Sequence, residues 1–280
     1  MRYYKNKIIA WIIFSAMCLG VPCFQVSVSA DDTFSFINLY EDFESYGDKS
    51  DTTKFPSATS GAFLKNMERL NAGNGWSDGW YDNSDKGITG NHKLCITEAR
   101  TGLDLYSSHL GTYPIMRDFV STMDFSKGAE YYVSINAMPS IEKSSVNLSK
   151  HNLTFKIGDI SFGTKYVEGK TTSTNGYYYP HLSVDGSTYT SENGYATAAY
   201  HNYYVKITVD AEGKASIDFS MDGVKELDDS DLSLTNANCL IITDNNDSTA
   251  RVSDITIEGY SKAELDNVRK LISDYAAGTV

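Results

Sequence analysis

Through most of the chain after residue 31, apolar side chains recur at every second position, and that period leaves few architectures open. Tyr131, Val133, Ile135 and Ala137 alternate with Tyr132, Ser134, Asn136 and Met138. Tyr203, Val205, Ile207 and Val209 alternate with Tyr204, Lys206 and Thr208. Ile217, Phe219 and Met221 alternate with Asp218 and Ser220, and Ile255 and Ile257 with Asp254, Thr256 and Glu258. Successive side chains of a strand point to opposite faces, so each run offers one face to a core and one to solvent. Turn formers separate the runs: Asp185-Gly186, Asn193-Gly194, Asp210-Ala-Glu-Gly-Lys214 and Asp222-Gly223. Many short strands joined by such turns predict an all-β antiparallel sandwich or barrel, and we expect the sandwich. Residues 144–149 and 170–175 are expected as exposed loops. The chain has no internal repeat and no low-complexity tract.

Both ends depart from this pattern. Ser261-Lys-Ala-Glu264 is a capping box, in which the serine hydroxyl and the glutamate carboxylate each accept from the other's free backbone N–H. Leu265, Val268, Leu271, Ile272 and Tyr275 follow at helical spacing, which predicts a short amphipathic helix over 261–276. Its apolar stripe packs on the sandwich or leads toward a further domain. At the other end, Arg2, Lys5 and Lys7 precede an apolar run over residues 8–24, and Val28-Ser29-Ala30 places small residues where a signal peptidase cuts. The run is at the short end for a spanning helix, and Pro22 interrupts it, so a cleaved signal over 1–30 is favoured over a membrane anchor. Met17 and Pro22 stand before Cys18 and Cys23, where lipid attachment wants a small residue. The expected organisation is therefore a signal over 1–30, a sandwich over 31–260, and a helix and tail over 261–280, secreted and without a membrane span after cleavage.

Export bears on charge and cysteines. Losing Arg2, Lys5 and Lys7 takes the formal charge from −12 to −15. An acidic surface repels polyanions, which argues against nucleic acid and anionic membranes as partners. Cys95 and Cys239 remain, each in a strand-like segment, 92–97 and 237–243. In an oxidising compartment they bridge if those strands are neighbours, for about 4–5 kcal/mol in the chain-entropy model. Otherwise they are buried thiols.

Several motifs in order along the chain resemble one family. They are Leu39-Tyr-Glu-Asp-Phe-Glu-Ser-Tyr46, Gly75-Trp-Ser-Asp-Gly-Trp80, Arg117-Asp-Phe followed by a Ser-Lys-Gly turn, Tyr131-Tyr-Val-Ser-Ile135 and Val252-Ser-Asp-Ile-Thr-Ile-Glu-Gly259. Over residues 35–260 the chain resembles the concanavalin A-like lectin/glucanase (LamG-like) jelly rolls of secreted bacterial proteins. The resemblance implies an antiparallel jelly roll and, most often, a non-catalytic module that binds glycans or accompanies an enzyme. The same fold hosts glycanases.

Glycoside hydrolysis needs paired carboxyls. In the glucanases of this fold the resemblance implies an E-x-D-x-x-E strand. The nearest match, Glu226-Leu-Asp-Asp-Ser-Asp231, ends in Asp and reads as a solvated acidic turn. No two of His92, His109, His151, His181 and His201 sit at metal-ligand spacing, and no G-x-S-x-G elbow is present. Each histidine reads as a loop or strand-edge residue, and no catalytic residue is assigned. Many jelly rolls of this kind hold a structural calcium near the first and last strands, so Asp42, Glu44 and Asp254 are its candidate ligands, with ordinary turn chemistry as the competing reading. Asp244-Asn-Asn-Asp247 is a second oxygen-rich turn.

Sugar sites combine an aromatic platform with amides and carboxylates. Trp76, Trp80 and Tyr81 cluster near Asp78, Asp82 and Asn83, and both tryptophans also suit the end of a core. Tyr132 shares the polar face of its strand with Ser134 and Asn136. In Tyr177-Tyr178-Tyr179 alternation turns Tyr178 away from its neighbours. The candidate ligand-binding residues are therefore Trp76, Trp80, Tyr81, Tyr132, Asn136 and Tyr178, and the expected partner is a polysaccharide or glycan. A glycoside hydrolase or polysaccharide lyase, and a structural or adhesion sandwich without a small ligand, are the alternatives.

Overall fold

In a computed structural model of the chain, the described residues are 37–43, 73–82, 93–96, 103–106, 114–126, 128–139, 152–167, 177–196, 199–245 and 249–261, with isolated C-terminal positions at 270, 273–274 and 277–278. The strands, in chain order, are β1 (Ile37–Glu41), β2 (Tyr81–Asp82), β3 (Lys93–Ile96), β4 (Leu103–Tyr106), β5 (Ile115–Met123), β6 (Ala129–Met138), β7 (Asn152–Ile157) and β8 (Ile160–Tyr166). They continue as β9 (Tyr177–Val184), β10 (Ser187–Thr190), β11 (Tyr195–Ala196), β12 (His201–Val209), β13 (Ala215–Met221), β14 (Val224–Leu232), β15 (Ala237–Asn245) and β16 (Thr249–Ser261).

They form two antiparallel sheets. The first runs β14-β13-β12-β6-β16-β4-β3, with β1 also paired to β16. The second runs β10-β9-β8-β7-β15-β5-β2, with β11 also paired to β9. Their inner faces make one core, and strict alternation puts it there: β6 and β12 bury every second residue along their whole length. Phe155, Phe162, Tyr203 and Phe219 meet at its centre, with Phe155 and Tyr203 edge to face at 5.3 Å. The two Asp-Gly turns are two-residue hairpins. Asp185 and Gly186 hold φ of 47° and 80°, and Asp222 and Gly223 hold 51° and 83°. Positive φ at both central residues is the turn whose twist matches paired strands, which is why Asp-Gly occurs there.

At one end of the core, Glu41 and Arg117 form an ion pair with both side chains fully buried. The guanidinium lies 4.7 Å from the Trp76 ring centre and 5.6 Å from that of Trp80, and its Nε donates to the Asp78 carbonyl at 2.9 Å. The second Glu41 oxygen accepts from the Phe43 N–H at 2.9 Å. The pair joins β1 of the first sheet to β5 of the second.

Two expectations change. Residues 226–231 are not a turn: they lie within β14, which among the described strands pairs with β13 alone, at one edge of the first sheet. The segment is polar because charged side chains protect an open edge from further pairing. Cys95 and Cys239 lie on strands of different sheets, β3 in the first and β15 in the second. Cys239 is a free thiol. Of the expected helix, only Lys270, Ser273 and Asp274 are described as helical, with Lys270 ion-paired to Asp274 at 2.5 Å. Strand β16 runs through Ser261, and an N-cap residue has extended dihedrals. The rest of 261–276, the signal over 1–30, Glu44, and the loops 144–149 and 170–175 lie outside the described residues.

Candidate functional site

The residues singled out from the sequence divide between core and surface. Trp76, Trp80 and Tyr178 are 7%, 0% and 1% exposed, so protein covers the ring faces that would stack on a sugar. The two tryptophans pack 5.9 Å apart against Phe43, Phe119 and Arg117. Tyr178 shares the inward phase of β9 with Leu182 and Val184. Tyr81 is half-buried, and its hydroxyl donates to Asp118 at 2.6 Å. Burial first, and then this carboxylate, push its pKa well above the usual tyrosine range.

Tyr132 and Asn136 do lie on an outer face, that of the first sheet. Tyr132 donates to Glu130, its ring sits 6.3 Å from that of Tyr204, and the Lys206 ammonium lies 5.7 Å from its centre. Asn136 donates to Asp254 at 3.4 Å, Ser253 donates to the same carboxylate at 2.8 Å, and Asn202 donates to Ser134 at 2.9 Å. This face is a ladder of groups that satisfy one another. The antiparallel register of β1 with β16 ends at Glu41 opposite Ile255, next to Asp42 and Asp254 in sequence. Among the described residues, however, no three carboxylate, histidine or cysteine side chains converge on a point that could hold a metal ion.

Glu226, the first carboxylate of the glucanase-like segment, is also engaged. It accepts from the hydroxyls of Tyr195 and Ser191 and, at 3.0 Å, from the Asn193 amide. These donors lie on the segment that crosses from the second sheet to the first. His201, at the start of β12, bridges Asp222 and the Ala196 carbonyl at 2.7 Å each. Both networks pin the crossover and engage the carboxylates of Glu226 and Asp222.

The outer face of the second sheet is different. Thr154 on β7 stands opposite Gly163 on β8, and Gly163 opposite His181 on β9. Gly163 holds φ of 157°, and a Cβ there would come within 2.0 Å of the Leu153 carbonyl oxygen. The position must be glycine, because the neighbouring strand's backbone fills the space a side chain would need. His181 is 8% exposed. Its Nε2 is 3.4 Å from Thr154 Oγ1, and its Nδ1 is buried without a hydrogen-bond partner. Burial first and Lys165 second lower its pKa to about 4, so the imidazole is neutral at neutral pH. A buried polar atom left unpaired costs about 1–3 kcal/mol, and natural proteins rarely leave one so without a reason. Thr243 extends the row on β15. Lys156, Ser161, Lys165 and Ser183 share this face.

From sequence alone, His181 looks like an ordinary loop or strand-edge residue, and Tyr178 stands out of its triplet. The signal that marks His181 is its phase. Leu182 and Val184 fix the inward positions of β9, so Tyr179, His181 and Ser183 must point outward, and Tyr178 inward.

The chain is thus an antiparallel two-sheet β-sandwich, the architecture implied by its resemblance to concanavalin A-like domains. No family model matches it, and no curated protein matches it. Among solved structures it is similar to an endo-1,3-beta-glucanase from Streptomyces sioyaensis, at 11% identity over 81% of this chain and 97% of that one, with a TM-score of 0.45. A mutant of alginate lyase Aly36B in complex with alginate tetrasaccharide matches at 12% identity over 80% and 96%, with a TM-score of 0.46. A beta-glucanase from Bacillus licheniformis matches at 13% identity over 70% and 96%, with a TM-score of 0.41.

Proposed function

We propose that this is an exported, non-catalytic carbohydrate-binding sandwich that holds its ligand on the outer face of the second sheet. One observation carries the reading. His181 is buried with an unpartnered ring nitrogen, in a cross-strand row with Gly163 and the hydroxyls of Thr154 and Thr243. A neutral imidazole both donates and accepts, and so do hydroxyls, which suits them to the hydroxyl groups of a saccharide. Such sites select strongly, because a ligand lacking the matching group leaves buried polar atoms unpaired. The first sheet's ladder has already used its donors on its own acceptors.

The test is affinity electrophoresis and pull-down on a panel of neutral and acidic polysaccharides, with the unchanged chain, His181→Gln, Thr154→Val and Tyr132→Ala. Retention by at least one polysaccharide, weakened about tenfold in the first two variants and unchanged in the third, is the expected result. Failure to bind any polysaccharide would sink the reading. Loss of binding in Tyr132→Ala alone would move the site to the first sheet. Release of new reducing ends would make the chain an enzyme.

A further inference from the structure

The charges around this site narrow its ligand. Lys206 meets Glu130 at 3.3 Å, Lys214 meets Asp231 at 3.8 Å, Lys225 meets Asp218 at 2.7 Å and Asp228 at 3.3 Å, and Lys270 meets Asp274 at 2.5 Å. Lys156 and Lys165 meet no carboxylate among the described residues, and both stand on the outer face of the second sheet. Acidic residues outnumber lysine and arginine by 36 to 24, so partners are abundant, and two unpaired lysines on one face stand out. Lys156 helps to lower the pKa of Asp159 without forming an ion pair with it, and the hydrogen bonds of two nearby acids go to other groups. Asp159 accepts from both the N–H and the hydroxyl of Thr235, at 2.7 and 2.6 Å, and Asp118 accepts from Tyr81.

The placement of the two lysines is also specific. Lys156 lies two residues along β7 from Thr154, and Lys165 two residues along β8 from Gly163. Because these strands are antiparallel, the lysines flank the Thr154–Gly163–His181 row on opposite sides. At ~3.3 Å per residue, their backbones are roughly 13 Å apart along the strands. That is too far for two ammonium groups to share one small anion at rest, but suited to two charges on one oligomer.

We infer that the site takes an acidic saccharide, a uronate oligomer. Lys156 and Lys165 each meet a carboxylate, and Thr154, Thr243 and His181 engage the hydroxyls between them. This inference rests on the carbohydrate-binding reading above. The chain's net negative charge does not forbid it. At physiological salt, interactions beyond about 8 Å are largely screened, so the two local lysines outweigh distant carboxylates.

The deciding experiment is calorimetric titration of the full chain with oligouronates of differing stereochemistry, each beside its carboxyl methyl ester, and with a sulfated oligosaccharide. At least one oligouronate is expected to bind, with its ester at least about tenfold weaker. Lys156→Gln and Lys165→Gln should each weaken it by about tenfold with folding intact, and added salt should weaken it further. Equal binding of acid and ester, or lysine variants that bind like the unchanged chain while His181→Gln does not, would overturn the inference and leave the carbohydrate reading standing. A sulfated oligosaccharide preferred over every oligouronate would overturn the uronate assignment. Absence of binding to every saccharide, neutral ones included, would overturn both.

Discussion

On the outer face of the first sheet, Lys206 meets Glu130, Asn202 donates to Ser134, and Asp254 accepts from Asn136 and Ser253. On the outer face of the second, Lys156 and Lys165 meet no carboxylate among the described residues, and the imidazole of His181 has a nitrogen with no partner. The two faces have similar polar alternation, so hydropathy does not separate them. What separates them is whether their polar groups are paired within the chain. A face whose groups are paired contributes to stability. A face whose groups are unpaired gives up some stability, and a ligand can restore it.

The comparison assumes that both faces stand on one core, and the largest expected effect tests that. Arg117→Met leaves Glu41 as an uncompensated charge in a fully buried place, which costs about 3–5 kcal/mol. Because the pair joins β1 to β5, both sheets should lose structure together. The check is denaturant unfolding followed by two probes, ligand binding for the second face and near-ultraviolet circular dichroism for the tyrosine pair of the first. Separate midpoints would mean that the faces belong to independent folding units.

Next in size is a pH effect confined to the second face. His181 has a folded pKa of about 4, lowered from 6.5 by burial. Between those values the unfolded chain binds a proton that the folded chain does not. Stability is therefore fully present above pH 6.5 and falls as the pH drops toward 4, by up to about 3 kcal/mol. Carboxylates titrate in part of the same window, so the quantity to measure is the difference between the unchanged chain and His181→Gln, taken from unfolding midpoints at pH 7, 6, 5 and 4. Tyr132→Phe on the first face should keep the unchanged chain's slope. A His181→Gln slope equal to that of the unchanged chain would mean that the imidazole is not desolvated.

How much of this was legible beforehand depends on the question. Period-two runs such as 131–138 and 203–209 carry fold class directly, because burial on one face selects the period. The Asp-Gly pairs carry the hairpins because φ must be positive at both positions. Long-range contact has no such local mark. Nothing in the spacing of Cys95 and Cys239 tells that their strands enter opposite sheets. Nothing in residues 226–231 shows that a polar stretch is an edge strand rather than a turn. The site was half legible. The outward phase of His181 follows from Leu182 and Val184. Its lack of a partner, and the lysines' lack of carboxylates, depend on which strands lie beside β7 and β8, and a sequence read alone does not show that. Trp76 and Trp80 misled because an aromatic beside aspartates looks the same whether it lines a groove or caps a core.

The smallest effect gives the sharpest form of the comparison. Lys206→Ala removes a partly buried ion pair and a cation over the Tyr132 ring, and should cost about 0.5–1 kcal/mol. Lys156→Ala removes an exposed lysine with no carboxylate partner among the described residues, and should leave the unfolding midpoint unchanged. In the presence of ligand the order should reverse. The stabilisation conferred by bound saccharide should persist in Lys206→Ala and shrink in Lys156→Ala, because ligand stabilises only as far as it binds. A lysine that does nothing for the free protein and something for the complex is held for the ligand. If instead Lys156→Ala lowered stability as much as Lys206→Ala does, Lys156 would be serving the free protein in the same way, and the distinction between the two faces would not hold at this position.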